Sequence, residues 1–396
     1  MSNSNRKQRP TTSQRLVERE KVDQLIDQVF GGEMHAQRVA SLANGVDGVF
    51  HAAQLGIRAI GSGLAVANGL IPRHAIKQID RLFSNTKLSI EDMIACWVKF
   101  VVAERDEIVL NFDWTEFDHS DQSMIVLGMQ TNHGRCTPLA WKTVVKSELK
   151  GQRNTHEDAL LSLLHRCLLR LERPVKVTVV ADRGFGDTSL YELLQEELGF
   201  DYIIRFRGTI QVESERGEVR KAHEWTGQHG RMRVLRSAHV TAQRHFVPIV
   251  VCVRSKNMKD TWCLASNRVD LKGSEIKKQY GKRFTIEESF RDLKNPRLGL
   301  GLKQVQMLRC DRRDRLFMLA VLAHTLMVLL GAAARELGLD RWLGASRIGG
   351  MSLFRMGQLI YDLIPRMKTQ IFASVMKCYD KILIRHTVCQ ELLGVI

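Results

Sequence analysis

The chain has 396 residues, 44% apolar and 26% charged, the mix of a soluble globular protein with room for two or three domains. Lys and Arg outnumber Asp and Glu 59 to 43, a net charge of +16. An excess that large opposes compaction unless a polyanion meets it, and nucleic acid is the usual candidate, with a membrane surface as the other. None of the eight cysteines forms a C-x-x-C pair, which argues against a structural zinc site. Met1 to Arg19 is polar and basic, unlike a signal peptide, so a reducing cytoplasm and free thiols are expected.

Residues 1 to about 14 are rich in Ser, Thr and Arg, and disorder is expected there. From Ser13 to about Asn85 the pattern is helical. Gly63 to Asn68 reads as a helix end, Gly69 as a turn and Pro72 as the first turn of the next helix. That helix carries Ile76, Ile79 and Leu82 on one side and Arg73, Lys77 and Arg81 on the other. This is the outline of a helix-turn-helix with a basic second helix. An ordinary amphipathic helix with a solvated basic face has the same pattern.

Near residue 107 the character changes. Glu107 to Phe112, Met124 to Gln130 and Pro138 to Val144 read as three antiparallel strands, with a hairpin at Asn132-His133-Gly134. A helix from about His156 to Glu172, a buried strand at Val175 to Ala181, a helix from about Thr188 to Leu198 and a strand at Tyr202 to Phe206 follow. This order is an α/β layered arrangement, a mixed sheet flanked by helices. Residues 207 to about 260 read as an all-β insertion closed by a strand at Thr261 to Ser266. A long helix is expected from about Lys272 to Leu293. The glycines of 298–302 lack the strand-turn-helix context of a phosphate loop and read as a loop. Leu316 to Ala334 is apolar and long enough to span a bilayer, but it contains His324 and Thr325 and reads as a helix buried in a large core. A helical C-terminal region begins near 340.

Asp113 and Asp182 each follow an apolar strand. A carboxylate at a strand's C-terminal end points into the crevice where α/β sheets bind ligands, although a lone Asp there is usually a cap or turn residue. The expected helix supplies a third group. At about 100° per residue, Tyr280, Arg283, Glu287 and Lys294 fall within about 60° of one another, whereas Glu288 points about 100° away from Glu287. Ile286, Phe290 and Leu293 lie on the adjoining face and can pack on the sheet. Charge pairs on a solvated face would give part of this stripe. They account neither for Tyr280 nor for the two aspartates upstream.

The spacing Tyr-x2-Arg-x3-Glu-x6-Lys, complete at Tyr280, Arg283, Glu287 and Lys294, resembles the signature of the bacterial insertion-sequence-four transposases, a branch of the DDE recombinases. The first two family carboxylates match Asp113 in NFDWTEFD and Asp182 in VVADRGFGD, and the resemblance covers roughly residues 55 to 330. It implies a ribonuclease-H-like core interrupted by a β insertion. It also implies a catalytic, metal-holding triad of Asp113, Asp182 and Glu287. Trp262, in TWCLASN, resembles a tryptophan that stacks a base flipped from the DNA end in that family; a strand aromatic is otherwise usually core.

Two divalent ions, Mg2+ or Mn2+, held by three hard carboxylates would activate the nucleophile and stabilise the leaving oxygen of a DNA phosphodiester. Asp113 would bridge both ions. Arg283 and Lys294 would hold phosphates beside the scissile bond, and Tyr280 one near the DNA end. Glu116, Asp118, His119 and Asp121 read as turn residues. The expected division is a helical DNA-binding region over 1–105, with Arg73, Lys77 and Arg81 among its contacts, a catalytic domain over 106–336, and a helical region over 337–396 that pairs protomers. The expected activity is cut-and-paste transposition: terminal-repeat binding, hydrolysis of one strand, hairpin formation and transfer into target DNA by a homodimer. The expected location is the bacterial cytoplasm, at the nucleoid and not in a membrane. The rivals are a binding-only regulator derived from a transposase, a nuclease of the same fold that does not join strands, and an integral membrane protein.

Overall fold

The computed structural model describes residues 12–256, 258–345, 350–384 and 391–394. Disorder is expected over 1 to about 14; residues 1–11 lie outside the described residues, and 12–14 instead belong to the first helix. Along the chain come helices α1 (Thr12–Phe30), α2 (Ala36–Ala52), α3 (Ile57–Asn68), α4 (Pro72–Ser84) and α5 (Ile90–Val102). Strands β1 (Glu107–Phe117), β2 (Gln122–Gln130) and β3 (Cys136–Val145) follow, then α6 (Arg153–Leu168), β4 (Lys176–Ala181), α7 (Thr188–Glu192) and β5 (Asp201–Phe206). Next are β6 (Gln211–Glu213), β7 (Val219–Lys221), β8 (Arg233–Val240), β9 (His245–Val253) and β10 (Trp262–Ser266). The chain then forms α8 (Gly273–Gly281), α9 (Thr285–Lys294), α10 (Cys310–Glu336), α11 (Leu353–Leu363) and α12 (Thr369–Ile384).

These elements form two compact units. One comprises Met1–Phe100 with Phe290–Leu392, the other Val101–Ser289 with the last few residues. In the first, helical unit, α10 packs against α2, α4, α11 and α12. Its apolar window is long enough to cross a membrane, yet all of it is buried inside the protein. Backbones come close where α10 meets α11: a Cβ on Gly331 would lie 1.9 Å from Leu353 O, and one on Gly357 1.9 Å from Met327 O. Gly69 ends α3 in the left-handed conformation, and Pro72 opens α4 where its missing N–H is harmless. α4 buries Ala75, Ile79, Leu82 and Phe83 and leaves Arg73, Lys77 and Arg81 exposed.

The second unit is built on a ten-stranded mixed sheet in the order β3-β2-β1-β4-β5-β10-β9-β8-β6-β7. β1, β4 and β5 run parallel, and the other pairs are antiparallel. With its flanking helices this is an α/β, ribonuclease-H-like arrangement. The strands of the 207–260 region extend the same sheet, because β10 pairs with β5 on one side and β9 on the other. Ile276 and Tyr280 of α8 pack on Val180, Ile203, Ile249, Val251 and Leu264 of the sheet.

Two expected elements differ. β1 does not end before Asp113; it continues through it to Phe117, because its pairing with β2 runs on to Phe117↔Gln122. The long helix expected over 272–293 is broken by a 3-10 turn at Lys282–Phe284, and side chains from the sheet bond to this turn and to the end of α8.

Candidate active site

The parallel pairing of β1 with β4 stops at Phe112↔Ala181. Asp113 on β1 and Asp182, the first residue after β4, are therefore the next residues beyond the last paired position, at the carboxyl end of β4. The alternation of a strand puts Asn111 and Asp113 on one face. The residue opposite Asn111 on β2 is Gly128. A Cβ there would meet Cys136 Sγ at 2.6 Å and Ile286 Cδ1 at 3.7 Å, so α9 lies over this face.

Arg283 links two of the predicted carboxylates. Its Nη1 donates to Asp113 Oδ2 at 3.1 Å and its Nη2 to Glu287 Oε1 at 2.8 Å. Its side chain is 7% exposed, against 20% for Asp113 and 52% for Glu287. Burial pushes the Asp113 carboxyl up to about 6; Arg283 opposes this, and the charges of Asp182 and Glu287 add to it. Asp182 and Glu287 are thus both near enough for their charges to act on Asp113. Asp182 is half-buried, and its Oδ1 accepts from Gly184 N at 2.7 Å. The ordinary turn role of an Asp at this position is therefore filled by one of its oxygens. Glu288 lies elsewhere, 3.8 Å from Arg135.

Tyr280 is not on a solvated stripe. It is 1% exposed, edge-on to the half-buried Trp262 with centroids 4.8 Å apart. Burial raises its pKa, and the nearby Arg283 and Arg205 oppose the rise, Arg205 also through a hydrogen bond. Arg205 escaped the sequence reading; its one signal is a charge inside the otherwise apolar strand YIIRF. It lines a cleft of about 490 Å³ together with Arg183, Arg207, Arg254 and Lys259, where Asp260 is the acid. Lys294 closes α9 but belongs to the helical unit, as do Arg73, Lys77 and Arg81. The structure therefore brings together Asp113, Asp182, Glu287, Arg283, Tyr280 and Trp262.

Among the described residues no group of three or more His, Cys, Asp or Glu side chains is gathered closely enough to hold a metal. The donor chemistry nevertheless suits a hard cation: one guanidinium stands as a positive charge between the Asp113 and Glu287 carboxylates, and Asp182 is near enough to act on Asp113.

Residues 140–326, just under half of the chain, match the family model of the transposase DDE domain. Asp182 and Glu287 fall within the match, and Asp113 precedes it. The match supports a DDE transposase, a class that generally uses divalent metal ions and acts on DNA. No curated protein matches the chain.

Proposed function

We propose that this protein is a cut-and-paste transposase of the insertion-sequence-four type, with Asp113, Asp182 and Glu287 as its catalytic carboxylates. One observation carries the reading. Asp113 on β1, Asp182 just past the end of the adjacent β4 and a helix-borne Glu287 share one electrostatic site, with Arg283 bonded to Asp113 and Glu287.

Asp113, Asp182 and Glu287 would hold two Mg2+ or Mn2+ ions. Such ions, when bound, lower the pKa of a nucleophilic water and stabilise charge on the leaving oxygen. Arg283, released from its carboxylates, would bind a phosphate beside the scissile bond, and Lys294 a neighbouring one. The Tyr280 hydroxyl would donate to a phosphate near the DNA end. Trp262, edge-on to Tyr280 and half-exposed, offers a face on which an extruded base would stack. The basic cleft beside Arg205 would carry the strand that leads away. Arg73, Lys77 and Arg81 would contact the terminal repeats. Hydrolysis of one strand would free a 3′-OH, which would attack the phosphodiester of the opposite strand and expel the 3′-oxygen of the flanking DNA, giving a hairpin. Opening of the hairpin and strand transfer into target DNA would reuse the same carboxylates. Two ends must be held together, so the working form would be a homodimer on DNA in the bacterial cytoplasm, paired through the C-terminal helices.

The test uses labelled DNA carrying the ends of the element that encodes the chain, with wild type and Glu287→Ala, in Mg2+ and in EDTA. Wild type should nick at the element boundary only with Mg2+, and the variant should bind without cutting. If both bind alike and neither cuts, the chain is a binding-only regulator.

A further inference from the structure

We infer that Asn111 and Gln130 are positioning residues of this site: their side-chain amides clamp the Lys282–Phe284 turn and thereby aim Arg283 and Glu287 at Asp113. The inference rests on the two-metal reading above.

Both side chains are buried, Asn111 at 0% exposure and Gln130 at 2%. Primary amides are unfavourable under a helix unless their hydrogens meet acceptors, and here they do. Asn111 Nδ2 donates to Lys282 O at 3.3 Å and to Thr285 Oγ1 at 3.0 Å. Gln130 Nε2 donates to Asn111 Oδ1 at 2.7 Å and to Gln279 O at 3.1 Å. Thr285 Oγ1 in turn donates to Lys282 O at 2.8 Å, which closes the network. Its outer acceptors are the carbonyls of Gln279 at the end of α8 and Lys282 in the turn, and the Thr285 hydroxyl at the start of α9.

Two features make this network more than packing. Asn111 and Asp113 share a strand face, so the clamp and a proposed metal-holding carboxylate stand on one rigid element. Arg283 lies within the clamped turn, and Glu287 lies two residues past Thr285. A change in the turn would therefore swing both relative to Asp113. α9 also has an anchor that does not use the clamp: Ser289 Oγ accepts from Cys136 N at 2.8 Å and donates to Thr285 O. Loss of the amides should thus displace the turn without detaching the helix.

The experiment uses the full chain and three variants: Asn111→Leu, Gln130→Leu, and Thr178→Val as a control. Thr178 is equally buried, on β4, and bonds to Arg268 instead of the turn. Free Mn2+ is followed by electron paramagnetic resonance, and backbone exchange over 279–287 by mass spectrometry. Asn111→Leu and Gln130→Leu should weaken Mn2+ binding about tenfold and speed exchange in that segment, as removal of residues that orient metal ligands does elsewhere. Thr178→Val should do neither. Wild-type Mn2+ affinity in Asn111→Leu would overturn the inference. So would equal weakening in the control. If wild type takes up no Mn2+, the two-metal reading fails, and exchange alone then decides whether the clamp exists. If Asn111→Leu does not fold, Thr285→Val removes one arm of the same network and is read in the same way.

Discussion

At the scale of single residues, Arg283 dominates the candidate site. It is nearly buried, its Nε meets no acceptor, and its two terminal nitrogens are spent on Asp113 and Glu287. A guanidinium cannot deprotonate to make way for another cation; it has to move. Arg283→Gln should therefore bind Mn2+ several-fold more tightly than wild type in the absence of DNA, measured by calorimetry. Equal or weaker binding would mean that the arginine does not compete for the site. Asp113 carries a second expectation. Its pKa of about 6 lies above the ordinary 3.8, so the folded state holds the proton more tightly than the unfolded one. The stability this provides is complete below the ordinary value and is lost as pH rises through about 6. Metal-free Asp113→Asn should then gain on wild type between roughly pH 4 and pH 6, by about 1–3 kcal/mol at the plateau. Parallel urea melts at several pH values check this, and a constant difference would show that the site imposes no such cost.

At the scale of elements, the geometry of the candidate site depends on where regular structure is interrupted. β1 runs through Asp113 while its parallel neighbour stops one residue earlier, which leaves the aspartate at a step in the sheet. The motif helix is interrupted at Lys282–Phe284, where Arg283 turns inward to 6% exposure and Phe284 outward to 44%. Helical periodicity finds the Tyr280, Arg283 and Glu287 stripe but cannot find this turn, because the groups that hold it are Asn111 and Gln130, well over 100 positions away in sequence. Helical spacing places Tyr280 in a polar stripe for the same reason. Its burial comes from Trp262 and the sheet beneath, neither of which is local. In the helical unit the close approach of α10 and α11 depends on two glycines. Gly331→Ala would drive a Cβ into the Leu353 carbonyl, and backbone cannot step aside as a side chain can. It should lower stability by about 1–3 kcal/mol or more, read as a fall in the urea midpoint. An unchanged midpoint would mean that the two helices do not pack so closely.

At the scale of the whole molecule, the charge of +16 and the long apolar helix look different once the fold is known. The apolar window of α10 is covered by protein on all sides, so its composition follows from its place in a core. The basic excess is partly gathered in the cleft lined by Arg183, Arg205, Arg207, Arg254 and Lys259 and along the exposed face of α4. Binding to DNA through such groups releases counterions. Affinity for a duplex should fall on the order of a thousandfold between about 50 and 200 mM salt. A flat salt dependence in a fluorescence titration would mean that phosphate contacts are few. Substituting Arg205 by Gln should flatten the slope by about one ion, because one phosphate contact is removed.

What the sequence by itself determined is the order and type of most elements and the proposal of Asp113, Asp182 and Glu287 as the carboxylates. Apolar runs, turn residues and helical spacing are local, and an Asp that follows an apolar run or a Tyr, Arg, Glu and Lys at helical spacing is legible without knowing its neighbours. Only the tertiary structure decided the rest: the register that sets Asp113 beside Asp182, the guanidinium between Asp113 and Glu287, the joining of β6 to β9 onto one sheet, and the buried amides under the motif turn. Each of these depends on groups far apart in the chain meeting in space. Strand register, desolvation and a hydrogen bond across 171 positions, from Asn111 to Lys282, have no signature in any local window of residues.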